Sequence, residues 1–148
     1  MLESQPRTRA ELARARARRG VPADAATAVL DRFEDVGLID DDAFAAAWVQ
    51  SRHSGRGLGR RALAQELRRR GVDEQTVHDA VSVVTSDDEQ TAAQALAERR
   101  LRSMSGLPRE TQLRRLVAML ARKGFGHGLA LSVARAAVDT AADEAPRG

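Results

Sequence analysis

By residue type, His53, His78 and His127 are the side chains best suited to acid–base or metal chemistry. Their settings give them little to act with. His53 falls in a glycine-rich stretch, His78 on a polar helix face and His127 directly after a glycine, and none has an acid or metal partner at a useful spacing. Cysteine is absent, which excludes thiol catalysis, disulfides and cysteine-ligated zinc. Asp40-Asp41-Asp42 could attract a cation. It stands just ahead of an apolar periodic segment, however, where an aspartate caps a helix and its neighbours complement the dipole. Gly55-Arg56-Gly57-Leu58-Gly59 shares only its glycines with a phosphate loop, because no strand precedes it and no Lys-Ser/Thr follows. Trp48 could stack on a nucleobase, but its register with Phe44 predicts core packing. No catalytic residue, metal or cofactor is expected, and the chain reads as a non-enzyme.

Guanidinium chemistry remains. Residues 7–20 hold six Arg against one Glu, residues 52–71 seven Arg against one Glu, and residues 109–124 four Arg and one Lys against one Glu. The intervening segments are acidic: residues 31–42 carry six carboxylates against Arg32, and residues 73–89 six with no Lys or Arg. Net charge is only +3, so placement matters more than the total. Cations recurring at a fixed spacing suit a polyanion such as a phosphate backbone. The macrodipole accounts for basic residues in a last helical turn, such as Arg18-Arg19, Arg69-Arg70 and Arg122-Lys123. It does not account for Arg7, Arg9, Arg14, Arg56, Arg60, Arg61, Arg114 or Arg115, at helix starts or on outer faces. The candidate contacts to a polyanion or an acidic protein are Arg14, Arg18, Arg56, Arg60, Arg61, Arg68, Arg69, Arg114, Arg115 and Arg122.

The elements that must carry these side chains are helices. Ala, Leu and Arg dominate the 148 residues, and aromatics make up 3%. Three segments share one pattern: Leu12 to Gly20-Val21, Leu63 to Gly71-Val72, and Leu116 to Gly124-Phe125, with the glycines 51 and 53 residues apart. Each has a Leu eight residues before the Gly, two basic residues immediately before it and an apolar residue after it. This is the signature of a helix ended by a left-handed glycine, with the next apolar residue folding back onto the last turn. Val72 should meet Leu67 and Phe125 should meet Leu120. Arg16 stands at the matching place in the first copy, where its aliphatic stem serves. Mutating Gly71 to Val should damage the fold, because positive φ is costly for a β-branched residue.

Helical periodicity resumes after each glycine. Pro22 opens a second helix with Ala25, Ala26, Val29, Leu30 and Phe33; Gly37 stops it, with Leu38 as the fold-back, and Asp40 caps a third with Phe44, Ala47, Trp48 and Ser51. Val77, Ala80, Val81 and Val84, then Ser86-Asp87-Asp88-Glu89, repeat that plan, and Val133 and Ala137 mark the last helix. Thr8-Arg9-Ala10-Glu11 reads as a capping box. His53 to Gly59 reads as a flexible connector with helix resuming near Arg60, and Ser103 to Pro108 as its counterpart. The expected organisation is an all-α chain of tandem three-helix repeats, about three units and eight helices. Its parts are a tail over 1–6, repeats over 7–53, 54–105 and 106–140, and a flexible tail over 141–148. No apolar run suits a membrane span and residues 1–10 carry no signal-peptide core, so a cytoplasmic monomer is expected.

Arg7-Thr8-Arg9-Ala10-Glu11-Leu12, Arg18-Arg19-Gly20-Val21, Val29-Leu30-Asp31-Arg32-Phe33 and Gly37-Leu38-Ile39-Asp40-Asp41-Asp42-Ala43-Phe44-Ala45, in that order, resemble the opening of RecX proteins. Trp48-Val49-Gln50-Ser51-Arg52, Gly59-Arg60-Arg61-Ala62-Leu63 through Gly71-Val72, and Leu116 through Gly124-Phe125 extend the likeness over about residues 7–138. The resemblance implies an elongated, curved helical array and one more helix ahead of Arg7, where residues 1–6 stand here. It implies a regulator in DNA repair and the SOS response that binds the RecA filament on single-stranded DNA. The usual outcome is inhibition of ATP hydrolysis, strand exchange and filament growth, with direct DNA binding, single-stranded and also double-stranded. Two other readings fit the pattern: a helix-turn-helix transcription regulator reading one short duplex site, and a helical protein-binding adaptor that makes no DNA contact.

Overall fold

Good helix formers broken by glycine and proline give short helices joined by tight turns. The computed structural model describes residues 7–37 and 39–144, and among these it contains eight α-helices and no strand. They are α1 (Arg9–Arg18), α2 (Ala23–Asp35), α3 (Asp41–Arg56), α4 (Arg60–Arg69), α5 (Glu74–Val81), α6 (Ser86–Arg102), α7 (Arg109–Arg122) and α8 (His127–Glu144). None is long and apolar enough to cross a membrane.

The repeated glycines do what their spacing predicts. Gly20, Gly71 and Gly124 have φ of 78°, 83° and 98°. After each, the next N–H returns to the last turn: Val21 to the Arg16 carbonyl, Val72 to Leu67 and Phe125 to Leu120, all at 3.1 Å. Val72 and Phe125 are buried. In the first copy the Arg16 guanidinium lies over the Phe33 ring, 5.6 Å from its centroid, so a cation stands where the other copies use leucine. Gly37 likewise ends α2 at φ 78°. The expected fold-back residue there, Leu38, lies outside the described residues. Ile39 is buried, and its N–H reaches the Phe33 carbonyl at 3.2 Å.

The helix starts match expectation in two places and differ in two. Thr8 and Glu11 form the capping box of α1, and Asp40 accepts from the Ala43 N–H at 3.0 Å at the start of α3. The cap of α6 is Thr85, paired with Asp88, one residue before the expected Ser86. Pro22 precedes α2 as its N-cap, one position ahead of the first helical residue.

The stretch expected as a flexible connector is mostly helix. α3 continues through Gly55 to Arg56, and only Gly57, Leu58 and Gly59 link it to α4. Leu58 is buried, the Gly59 N–H donates to the Lys123 carbonyl at 2.8 Å, and His53 Nδ1 lies 2.8 Å from the Leu58 carbonyl. Glycine serves here for close approach: a β-carbon on Gly59 would fall 2.6 Å from the Gly124 carbonyl oxygen. Residues 141–144, expected in a flexible tail, belong to α8, whose apolar face continues with half-buried Ala141. The two terminal segments, 1–6 and 145–148, lie outside the described residues.

By packing, the chain divides into two units, Met1–Ser51 with Ala64–Val81, and Arg52–Leu63 with Ser82–Gly148. The first has a core of Ala26, Leu30, Ile39, Ala45, Val49, Ala64, Leu67, Val72 and Val77. Its α1 buries no residue fully and is tied to α4 by the Thr8 hydroxyl and the Glu11–Arg70 pair. In the second, α6, α7 and α8 close over Ala93, Ala97, Leu101, Leu116, Leu120, Phe125, Ala130 and Val133. Small alanines on facing helices permit that close approach.

Candidate functional site

The candidate site is a set of arginines, and the geometry sorts them by partner. In the first unit, Arg14 and Arg18 lie one helical turn apart on α1 and are both exposed. Neither forms an ion pair with a described residue. On α4, Arg69 is exposed and likewise unpaired among the described residues, whereas Arg68 meets Glu74 through Nε at 2.6 Å and Nη2 at 3.1 Å. That pair is exposed on both sides, 52% and 71%, so its stabilising effect is small and it exchanges readily for another anion.

In the second unit, Arg56 ends α3 and Arg61 lies in the first turn of α4, both exposed and without an ion pair to a described residue. On α7, Arg115 and Arg122 stand seven residues apart. Exposed Ala118 lies between them, and exposed Arg114 borders the same face.

Arg60 departs from the expectation that it meets an external anion. Its backbone N–H donates to Glu89 at 2.9 Å, and its Nε and Nη2 donate to the same carboxylate at 3.0 and 2.7 Å. Glu89 is 8% exposed at its side chain, so the cation neutralises a buried carboxylate and is spent internally. Arg9, one of the residues the macrodipole did not explain, is also engaged, with Asp31 at 2.7 Å and with Glu34. Arg109 pairs with Asp139 at 2.5 Å.

Two further features went unnoticed in the sequence. Arg70 is the centre of a cluster: Glu11 accepts from its Nε and Nη2 at 2.5 and 3.0 Å, and its guanidinium lies 5.0 Å from the Phe44 centroid and 4.9 Å from that of Trp48. Trp48 stacks on Phe44 with centroids 5.7 Å apart and donates its indole N–H to Glu66 at 3.0 Å. Its expected place in the core is therefore a half-buried polar cluster. The Arg70 hydrogen bonds hold the Glu11 carboxyl below its usual range, and Glu11 raises Arg70 in turn. Arg99, Arg100 and Arg102 also project from the exposed last turn of α6, a signal present in the run Glu98-Arg99-Arg100-Leu101-Arg102. Among the described residues no group of three or more His, Asp or Glu is arranged to hold a metal ion.

Two protein-family descriptions match the chain. The second three-helix domain of RecX matches residues 40–81 and the third matches residues 87–133. These segments begin at the acid-capped helices α3 and α6. Among curated proteins, the chain is 52% identical to "Regulatory protein RecX" of Streptomyces coelicolor over 139 residues, 94% of this chain and 74% of that one. It is 53% identical to the Thermobifida fusca protein of that name over 135 residues, covering 91% and 73%. The crystal structure of RecX from Lactobacillus salivarius superposes with a TM-score of 0.82 at 20% identity, covering 90% of this chain and 86% of that one, a likeness of fold. A second structure, of regulatory protein RecX, gives 0.78 at 25% identity, covering 91% and 64%.

Proposed function

The chain belongs to the RecX family of regulatory proteins, and from that premise we propose that it binds the RecA filament on single-stranded DNA. There it restrains ATP hydrolysis, strand exchange and filament growth by occupancy, with no chemistry of its own. The observation that carries this reading is the division of the arginines. Arg9, Arg60, Arg70 and Arg109 are committed to carboxylates inside their own unit. Arg14, Arg18, Arg56, Arg61, Arg69, Arg114, Arg115 and Arg122 are exposed with no ion pair to a described residue. Exposed guanidiniums carried on helices without a described carboxylate partner suit phosphate oxygens and acidic protein surface. Arg68 joins them when an external anion displaces Glu74.

The test is RecA ATP hydrolysis on single-stranded DNA with the chain added well below the RecA concentration. Hydrolysis should slow, and the effect should weaken as salt rises. Unchanged hydrolysis with protection of one short duplex sequence would instead identify a transcription regulator. An absence of DNA affinity even at low salt would leave a protein-binding adaptor.

A further inference from the structure

In the second unit, Arg52–Leu63 with Ser82–Gly148, the end of α3 rests on the middle of α6. Gly57 follows the last residue of α3 at φ 66°, and a β-carbon on it would lie 3.4 Å from Leu96 Cδ1. The Gly57 N–H donates to the His53 carbonyl at 2.8 Å, which sets the path of the chain as it leaves the helix. Arg56 is thereby delivered to the α6 turn that carries Leu96, since consecutive Cα atoms are about 3.8 Å apart. Arg99 and Arg100 stand three and four residues beyond Leu96. Positions at those spacings flank Leu96 on its own side of the helix, with Cβ atoms about 5–6 Å from its own. Three guanidiniums from two remote stretches of sequence therefore gather around one contact.

All three arginines are exposed, and none forms an ion pair with a described residue. Arg100 donates to the Ser103 hydroxyl at 3.3 Å, an exposed bond to a neutral acceptor that leaves its charge uncompensated. The neighbouring carboxylate of α6, Glu98, is turned away and lines a groove against α8 together with Arg102. Arg102 thus belongs to another side of the turn, although Arg99, Arg100 and Arg102 form one run in the sequence. The helix dipole favours a cation in a last turn wherever it points, so it does not distinguish Arg102 from the other two. Like charges brought together repel one another, a cost that an external polyanion reverses.

We infer, on the proposed reading that the chain binds single-stranded DNA, that Arg56, Arg99 and Arg100 form a contact for its phosphate backbone in addition to the face of α7. The surroundings select phosphate over a protein surface. A protein partner is held by aromatic or apolar anchors in desolvated pockets. The exposed large apolar residues among those described, Val36 and Val83, lie at the end of α2 and ahead of α6. Beside the three arginines the exposed chain neighbours are Ser54, Gly55 and Ala95, which offer no such anchor. Phosphate oxygens need only the guanidiniums, and contacts to them carry no base preference.

The probe is a fluorescein-labelled oligothymidylate bound by the full chain and followed by anisotropy across a salt series. Arg56→Gln, Arg99→Gln and Arg100→Gln should each lower the logarithmic salt slope by about 0.7, and the triple variant by about 2, as one phosphate contact is lost with each charge. Arg102→Gln removes the same charge from the same turn and should leave the slope at its wild-type value. Lysine at all three positions restores the charge and should restore the slope. A wild-type slope in the triple glutamine variant overturns the inference and leaves the proposed function standing. An equal loss in Arg102→Gln also overturns it, since total charge and not this cluster would then set the binding. So does a lysine variant that loses as much as the glutamine one, which would make the effect structural. Absence of any affinity of the wild-type chain for the oligonucleotide at low salt overturns the inference and the proposed function together.

Discussion

Thr8 and Arg70 are 62 positions apart in sequence, yet the Thr8 hydroxyl donates to the Arg70 carbonyl at 2.6 Å. The same oxygen accepts from the Glu11 N–H at 3.2 Å, so one side chain both starts α1 and anchors it to α4. No residue of α1 is fully buried, so these polar contacts act beside the packing of Ala10 on Gly71 and of Arg16 on Phe33. Thr8→Ala removes a cap and a long-range hydrogen bond and should cost about 2 kcal/mol. Thr8→Ser keeps both oxygen contacts and should lie close to the wild type. Urea unfolding followed by circular dichroism measures the difference. Equal midpoints for the alanine variant and the wild type would show that α1 is held elsewhere.

The ion pair beside that hydrogen bond predicts an acid-sensitive element. The Arg70 guanidinium holds the Glu11 carboxyl below its ordinary 4.5 in the folded protein. A folded value lower than the unfolded one gives stability that is full above the unfolded value and lost as pH falls through the folded value. Glu11→Gln should therefore cost about 1 kcal/mol at neutral pH, discounted for partial exposure, and the gap should close in acid. Asp41 has the opposite sign. Burial, opposed by the Arg9 N–H and reinforced by Glu34, Asp73 and Asp42, raises its carboxyl. Its ionised form is thus a penalty at neutral pH. Asp41→Asn retains an acceptor for the Arg9 N–H and should stabilise the protein at pH 7 by roughly 0.5 kcal/mol, an advantage that disappears in acid. Parallel chemical denaturation of both variants from pH 3 to pH 7, a range chosen to span about one carboxylate titration, reads both signs.

Glycines with the same backbone conformation should respond very differently to one added methyl. At Gly20, φ is 78° and the space beside it is open, so Gly20→Ala carries only the left-handed penalty, about 1 kcal/mol. At Gly124, φ is 98° and the new β-carbon meets Ala62 at 2.4 Å, so overpacking adds about 3 kcal/mol. Gly59→Ala has no positive φ to strain. It should nonetheless destabilise, because its β-carbon faces the Gly124 carbonyl oxygen and the Glu89 carboxylate. Thermal melts of the three variants should rank Gly20→Ala well above the other two.

What is legible in the sequence is whatever depends on near neighbours. The three glycine stops, the capping box at Thr8 and the Asp40 cap are settled within one helical turn, so the residue pattern contains all the partners. The connector defeats local reading for the same reason. Gly55 and Gly57 lie two residues apart and look alike, but only Gly57 takes positive φ, and what holds the linker is the Lys123 carbonyl, 64 positions from Gly59. Arg60 and Arg61 make the point for the site. They are adjacent and chemically identical, and one helical step of about 100° turns the first toward Glu89 and leaves the second in solvent. No local pattern separates them, because Glu89 arrives from a different helix.

That difference yields the most discriminating mutational test of the proposed function. Arg60→Ala leaves Glu89 as a nearly buried carboxylate with its backbone donor alone, and should destabilise the fold by about 3 kcal/mol. Its affinity for single-stranded DNA per folded molecule should be little changed, since the deleted cation was already neutralised. Arg114→Gln, Arg115→Gln and Arg122→Gln on the open face of α7 should behave in reverse. The triple variant should keep the wild-type melting temperature, because none of the three pairs with a described residue. It should bind single-stranded DNA more weakly, and the salt dependence of binding should flatten by about 2 in logarithmic slope, at roughly 0.7 for each phosphate no longer neutralised. Inhibition of RecA ATP hydrolysis should decline with it. Fluorescence anisotropy across a salt series and an ATP hydrolysis assay on the same preparations separate the outcomes. Wild-type binding by the triple variant would remove α7 from the interface, and a stable Arg60→Ala protein that no longer binds would return Arg60 to it.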